Sequence, residues 1–205
     1  MRIAAIVAAL AFLLGSHPAF AGPRTADEPQ TLSIRIRLRG PTLRVRCRGG
    51  DCTVTVARDG AGVAVSVTRT RNGSSFTFAK TVPLPTNVAI ETGFGTDSVT
   101  VGDISIPGFL RIGTGDGDDL LVVEGTSAAK KASVDTGGGN DTAHLAFGVI
   151  GGKVRLATHN GNDKVDVTDG QLLNKAGFNG GPGTDSFVAA GAVTFSGPPV
   201  VTAFE

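Results

Sequence analysis

The chain has 205 residues, of which 18% are charged and 40% hydrophobic, with 30 glycines, no tryptophan, no tyrosine and a formal net charge of +1. The glycine content argues against helical and βα repeats, the missing Trp and Tyr remove the usual platforms for stacking sugars, and near-neutrality gives no reason to expect a nucleic-acid partner. The total hides a division: residues 22–90 carry 11 basic and 4 acidic side chains (+7), and residues 91–205 carry 7 basic and 14 acidic ones (−7).

At the start of the chain, Arg2 precedes an apolar run from Ile3 to Leu14, and Ala19-Phe20-Ala21 forms an A-x-A cleavage site. Residues 1–21 are therefore expected to be a secretory signal peptide. The run is too short to span a bilayer, and no cysteine stands at the cleavage point. The expected product begins at Gly22, has no transmembrane segment and is exported to the periplasm or the exterior.

Residues 22–68 form an expected N-terminal β cap and first coil. Leu32, Ile34, Ile36 and Leu38 alternate with Ser33, Arg35, Arg37 and Arg39, and Leu43, Val45 and Cys47 alternate with Arg44, Arg46 and Arg48. Period-two alternation predicts strands, with an arginine face on the outside. Arg35, Arg37, Arg39, Arg44, Arg46 and Arg48 are candidate contacts for an anionic polysaccharide or surface, the alternative being a solvated edge that resists aggregation. Cys47 and Cys52 enclose Arg48-Gly49-Gly50-Asp51 and are expected to pair as a disulfide hairpin, adding about 2 kcal/mol because the loop is short. Asn72-Gly73-Ser74-Ser75, with Val65/Val67 before it and Phe76/Phe78 after it, reads as a coil in which Ser75 takes an aspartate's place.

Residues 69–205 are expected to be the repeats. Asp97, Asp119, Asp141, Asp163 and Asp185 recur every 22 residues, each closing a glycine-rich corner: Thr92-Gly93-Phe94-Gly95-Thr96-Asp97, Thr114-Gly115-Asp116-Gly117-Asp118-Asp119 and three more. A fixed period of this length signals one supersecondary unit stacked on copies of itself. Apolar alternation precedes each corner (Val88/Ile90, Leu110/Ile112, Ala132/Val134, Val154/Leu156, Ala176/Phe178) and follows it (Val99/Val101, Leu121/Val123, Ala143/Leu145, Val165/Val167, Phe187/Ala189). A looser third face lies near Ile104/Ile106, Val149/Ile150, Leu172/Leu173 and Val193/Phe195. The pattern predicts an all-β fold, a single right-handed parallel β-helix with 22-residue coils.

Stacking places equivalent aspartates about 4.8 Å apart, where charged carboxylates repel by about 3 kcal/mol per adjacent pair at an effective dielectric near 20. A hard divalent cation would offset this, and glycines allow carbonyls to turn toward it. Asp97, Asp119, Asp141, Asp163, Asp185, Asp118, Asn140 and Asn162 are accordingly candidate Ca²⁺ ligands; the alternative is that each carboxylate caps its own turn. Thr70, Thr92, Thr114, Thr136 and Thr158 form a second file, expected to be an inward ladder of hydroxyls and not an ice-binding array. Lys131, Lys153 and Lys175 form a third, expected to be a solvated edge. His144, Asp166, Lys164 and Ser186 can be drawn as a cluster, on an outward strand face and without a predicted cleft. His159 is expected to be a tolerated turn residue.

Gly180-Gly181-Pro182-Gly183-Thr184-Asp185-Ser186-Phe187-Val188 and the cores at 115–119 and 137–141 resemble the hemolysin-type calcium-binding (RTX) repeats, G-G-x-G-x-D-x-apolar-x. The resemblance implies Ca²⁺ held by aspartates and loop carbonyls. It covers five corners; the family's nonapeptides recur every nine residues and flank a β-roll, whereas here there is one corner per 22 residues. The family also leaves the cell on a C-terminal signal, unlike the N-terminal one read here. Val82-Pro83-Leu84-Pro85 through Gly93 is similar to β-helical bacterial adhesins. The expected protein is an exported, non-enzymatic Ca²⁺-binding structural or adhesive module, with no catalytic residues. The alternatives are a binding module for anionic polysaccharide and a polysaccharide lyase-like enzyme, the latter weakened by the absence of long loops to build a cleft.

Overall fold

The computed structural model describes residues 34–205; the expected signal peptide and the start of the first predicted strand lie outside them. Every element is a strand: β1 (Arg35–Arg39), β2 (Thr42–Arg46), β3 (Asp51–Asp59), β4 (Gly62–Arg71), β5 (Ser74–Pro83), β6 (Asn87–Glu91), β7 (Ser98–Gly102), β8 (Ser105–Ile106) and β9 (Phe109–Gly113). They continue as β10 (Leu120–Ala128), β11 (Lys131–Asp135), β12 (Thr142–Ile150), β13 (Val154–Ala157), β14 (Lys164–Leu172), β15 (Ala176–Asn179), β16 (Ser186–Phe195) and β17 (Val200–Thr202). Two sheets run along one axis. Sheet A is ordered β1-β2-β6-β9-β11-β13-β15-β17, and sheet B β16-β14-β12-β10-β7-β3-β4-β5, with β8 beside β10.

The expected β-solenoid is the observed fold. From β6 onward each coil is a short strand of sheet A, a corner and a strand of sheet B that is longer from β10 on, and strands pair in parallel, mostly at a 22-residue offset, as in Ile112↔Val134 and Leu121↔Ala143. The inward residues of both sheets, including Val88, Leu110, Leu121, Leu145, Leu156, Val165 and Phe178, form one buried core. The third face is the bent continuation of the sheet B strands: register shifts interrupt β10, β12 and β14 after Glu124, Leu145 and Val167. Ile104, Ile106, Ile150 and Leu172 turn inward there, whereas Val149 and Leu173 stay exposed. In the last coil Phe187 is only half-buried and Ala189 is exposed, because no further sheet B strand covers β16.

The N-terminal region differs from its sequence reading. Asn72-Gly73 is the tight turn of an antiparallel β4–β5 hairpin, with φ of 51° and 74°, and not a coil corner. β3, β4 and β5 form a meander, so the expected boundary at residue 69 falls inside β4 and Thr70 pairs with Ser75 through their hydroxyls at 2.8 Å. The coil below Thr92–Asp97 is instead β2, Cys47–Cys52 and β3, 45 residues upstream: Leu43 pairs with Val88 and Val54 with Val99. Period two is shared by hairpins and solenoid strands, and only the turn separates them. In Asn-Gly both residues reach positive φ, which closes a hairpin and reverses the chain.

Candidate functional sites

The corners are built by backbone first. Thr92, Thr114, Thr136 and Thr158 donate their N–H to carbonyls of the next coil at 2.9–3.1 Å, as do Gly95, Gly117, Gly139 and Gly161 at 2.7–3.1 Å. Successive corners therefore lie flat on each other. At Gly137 and Gly139, φ is 94° and 128°, and a Cβ would run into the carbonyls of Gly115 and Gly117. Only glycine fits both requirements. His159 occupies the place of Gly137 one coil later, at φ 67°, and its Nε2 lies 3.0 Å from Asp135 Oδ1.

Side chains take further corner amides, chiefly those of the closing aspartate and of the residue before it. Oδ1 of Asp119, Asp141, Asp163 and Asp185 accepts the N–H of the aspartate one coil earlier at 2.8–3.0 Å, and Asp97 Oδ1 accepts from Cys52 N–H at 2.7 Å. The carboxylates cap the neighbouring coil, not their own turn; Asp97 Oδ2 alone also accepts from its own corner, from Gly93 N–H at 3.2 Å. A second ladder, not distinguished in the sequence reading, runs the opposite way on the outside. Asp118 accepts from Asn140 N–H at 2.7 Å, Asn140 from Asn162 at 2.8 Å, Asn162 from Thr184 at 2.9 Å, and Asp51 from Thr96 at 3.0 Å. The signal was present: Asp or Asn recurs immediately before the repeated aspartate.

The five aspartates of the inner ladder are 1–3% exposed. Oδ2 of Asp119, Asp141, Asp163 and Asp185 is buried without a hydrogen-bond partner, as is Thr136 Oγ1. Burial holds the carboxyls of Asp97 and Asp163 above the usual range and pushes Asp119 up to about 7 and Asp141 to about 6, against the opposing pull of the neighbouring threonine hydroxyls and backbone amides. Thr92, Thr114 and Thr158 point inward as expected and donate Oγ1–H to the next coil's carbonyl at 2.6–2.8 Å. Burial thus favours the neutral carboxyl and the hydroxyl and amide donors favour the charged one, and burial prevails at all four. Among the described residues no three His, Cys, Asp or Glu side chains converge as a metal-holding group. Asp118, Asn140 and Asn162 are exposed, on the outside of the corner.

The disulfide is at the same place in the first coil. Cys47 and Cys52 are joined, with Cα atoms 6.2 Å apart, and are 45 residues before Thr92 and Asp97. Because β2 belongs to sheet A and β3 to sheet B, the bridge spans a solenoid corner and is not a hairpin link.

The arginines gather on the outer face of sheet A. β1 and β2 set Arg35 opposite Arg46 and Arg37 opposite Arg44. Together with Arg39 they line a shallow cleft of about 150 Å³. Arg46 Nε is held by Glu91 Oε2 at 2.8 Å. The column continues through Ala89, Arg111, Ser133, Arg155 and Gly177, pairing in register, so arginines alternate with small residues on successive coils. Exposed Lys131, Lys153 and Lys175 flank it. Arg111 and Arg155 were missed in the sequence, although their 44-residue spacing is two coils. Arg48 lies at the disulfide corner, against Gly93.

On the outer face of sheet B, His144 Nδ1 and Lys164 Nζ lie 3.0 and 3.3 Å from Asp166 Oδ2, and Ser186 pairs in register with Lys164. These residues occupy an open strand face.

Fold and corners together define a parallel β-helix stacked through an internal carboxyl ladder. The chain matches no protein-family model, no curated protein and no solved structure.

Proposed function

We propose that this protein is a non-catalytic structural and binding module that holds an anionic polymer or surface along the outer face of sheet A. One observation carries the reading: Arg37 and Arg44 stand directly opposite each other, and their row is extended by Arg111 and Arg155. Opposed like charges destabilise a sheet, and a bound anion removes that cost. Every second coil adds an arginine, so the column repeats at about 9.6 Å, suited to a linear polymer with regularly spaced carboxylates or sulfates. With no Trp or Tyr, recognition rests on charge and hydrogen bonding, with guanidinium groups meeting carboxylates in bidentate fashion. The test is binding of heparin and polygalacturonate at two salt concentrations. Replacing Arg37, Arg44, Arg111 and Arg155 by Gln should abolish salt-sensitive binding while leaving the circular dichroism spectrum unchanged; retained binding would refute the reading.

A second reading, Ca²⁺ at the corners, is favoured by the unpartnered Oδ2 atoms. Asp119, Asp141, Asp163 and Asp185 would hold the ion, which would neutralise the file and stabilise the coils by mass action. Melting with EGTA and then with Ca²⁺, against Mg²⁺, tests it: a Ca²⁺-selective rise supports it and no shift removes it.

A further inference from the structure

The two ends of the rod differ in a way that makes each the complement of the other. Taking β2/β3 as the first coil and β15/β16 as the sixth, sheet A gains β1 before the first coil and β17 after the sixth. Sheet B gains β4 and β5 before the first coil and nothing after the sixth. Each main path is eight strands deep, yet sheet B is shifted one strand toward the N-terminal end. That end therefore has sheet B protruding, and the opposite end has sheet A protruding.

Strand direction agrees with this stagger. β4 is antiparallel to β3 and β5 is antiparallel to β4, so β5 runs with the solenoid strands and hence with β16. Both are ten residues long. β1, antiparallel to β2, would meet β17 in antiparallel fashion. Translating a copy by eight strand spacings, about 38 Å, brings both edges into place at once.

Both ends also carry apolar surface on the core side. Phe78 faces the same way as buried Val67, its partner in register, yet is 43% exposed, and Phe76 is 60% exposed. At the other end Phe187, Val193, Phe195 and Phe204 are only partly covered; on β17 Val201, in register with buried Phe178, is 39% exposed on the core side, and Val200, in register with Gly177, is 63% exposed on the outer face. Charge is complementary: residues 34–83 carry ten basic and two acidic side chains (+8), and residues 157–205 carry two and five (−3). Arginines on β1 and Lys80 and Pro83 on β5 discourage pairing of like ends.

We propose that copies of this chain add head to tail through a lap joint, β16 of one pairing in parallel with β5 of the next and β17 with β1. The joint is heterologous, so it propagates into a filament.

The chain from Gly22 would be sedimented from about 10 to about 500 μM, a range that covers weak to moderate association. Wild type should grow beyond a dimer with concentration. Phe76→Asp with Phe78→Asp blocks one end, and Val200→Lys with Val201→Lys blocks the other; all four sites are exposed, and circular dichroism checks each fold. Each blocked variant should remain monomeric alone, and an equal mixture should form a dimer and stop. A benzophenone residue at Phe76 should cross-link to the 186–205 segment of another copy. A wild type that stays monomeric, a blocked variant that still self-associates, or a mixture without dimer overturns the proposal. Cross-links from Phe76 to residues 22–33 of the same chain do so as well, by assigning the apolar end to that segment.

Discussion

The first corner and the five that follow solve one problem by different means. Each must tie a strand of sheet A to a strand of sheet B and dispose of the amide at its closing residue. Between Cys47 and Cys52 the tie is covalent. Between Thr136 and Asp141 it is a hydroxyl beside a buried carboxyl, whose other oxygen caps the coil below. The covalent tie stands where the solenoid has only hairpins beneath it, and the hydrogen-bonded ties from Thr92 to Asp163 stand where a coil lies on either side. Stacked neighbours can hold a corner, and at the N-terminal end the disulfide closes it.

The largest way to break this arrangement is to deny the corners their close approach. Gly137→Ala forces a Cβ into the Gly115 carbonyl at φ 94°, and is expected to cost more than about 3 kcal/mol. Thermal melting checks it; a loss of under about 1 kcal/mol would mean that the corners do not need contact. Next comes Asp141→Ala, which orphans the buried Asp119 N–H. About 2 kcal/mol should be lost, a fall of roughly 4–8 °C for a chain of this size. Asp97→Ala should cost about as much, since Asp97 accepts from both Cys52 and Gly93. Opening the first corner with Cys47→Ser and Cys52→Ser should cost about 2 kcal/mol and leave the later coils in place, as hydrogen exchange would show.

A pH series sharpens the contrast, because the disulfide does not titrate and the carboxyls do. Asp119 is raised from 3.8 to about 7 in the folded chain, so the folded state binds more protons than the unfolded one between those values. Its contribution is complete below about pH 4 and is lost as pH rises through 7. In EGTA the melting temperature of wild type, relative to Asp119→Asn, should therefore fall from pH 4 to pH 8. A difference that is flat or rises with pH contradicts the sign. The smallest effect is expected from Asn162→Ala on the exposed ladder, about 0.5–1 kcal/mol.

The solenoid was legible because its period is written in residues of limited choice. Glycine at 137 and 139 is demanded by backbone contact, and aspartate at 119 and 141 by an amide that needs an acceptor. The inward Thr92, Thr114 and Thr158 were legible from parity alone. What the aspartates face was not: a sequence gives their spacing along the axis but not whether the carboxyl turns to solvent or to the coil beneath. The β3–β4–β5 meander was misplaced because alternation at Val65/Val67 and Phe76/Phe78 is the same in a hairpin as in a coil. Cys47 and Cys52 were paired by compartment and spacing, but their equivalence to Thr92 and Asp97 needed the 45-residue offset that the inserted hairpin creates.

The most direct measurement compares Asp141→Asn with Asp141→Ala by thermal melting at pH 5, below the value of about 6 to which burial raises the Asp141 carboxyl, in EGTA and in Ca²⁺. Asparagine keeps the acceptor for Asp119 N–H, stays uncharged and brings a donor to Thr136 Oγ1, so it should melt within about 2 °C of wild type while alanine falls by roughly 4–8 °C. If asparagine falls as far as alanine, and Ca²⁺ raises only the wild type, the carboxyl at 141 works through its charge and the hydrogen-bonded ladder is not what holds the corner.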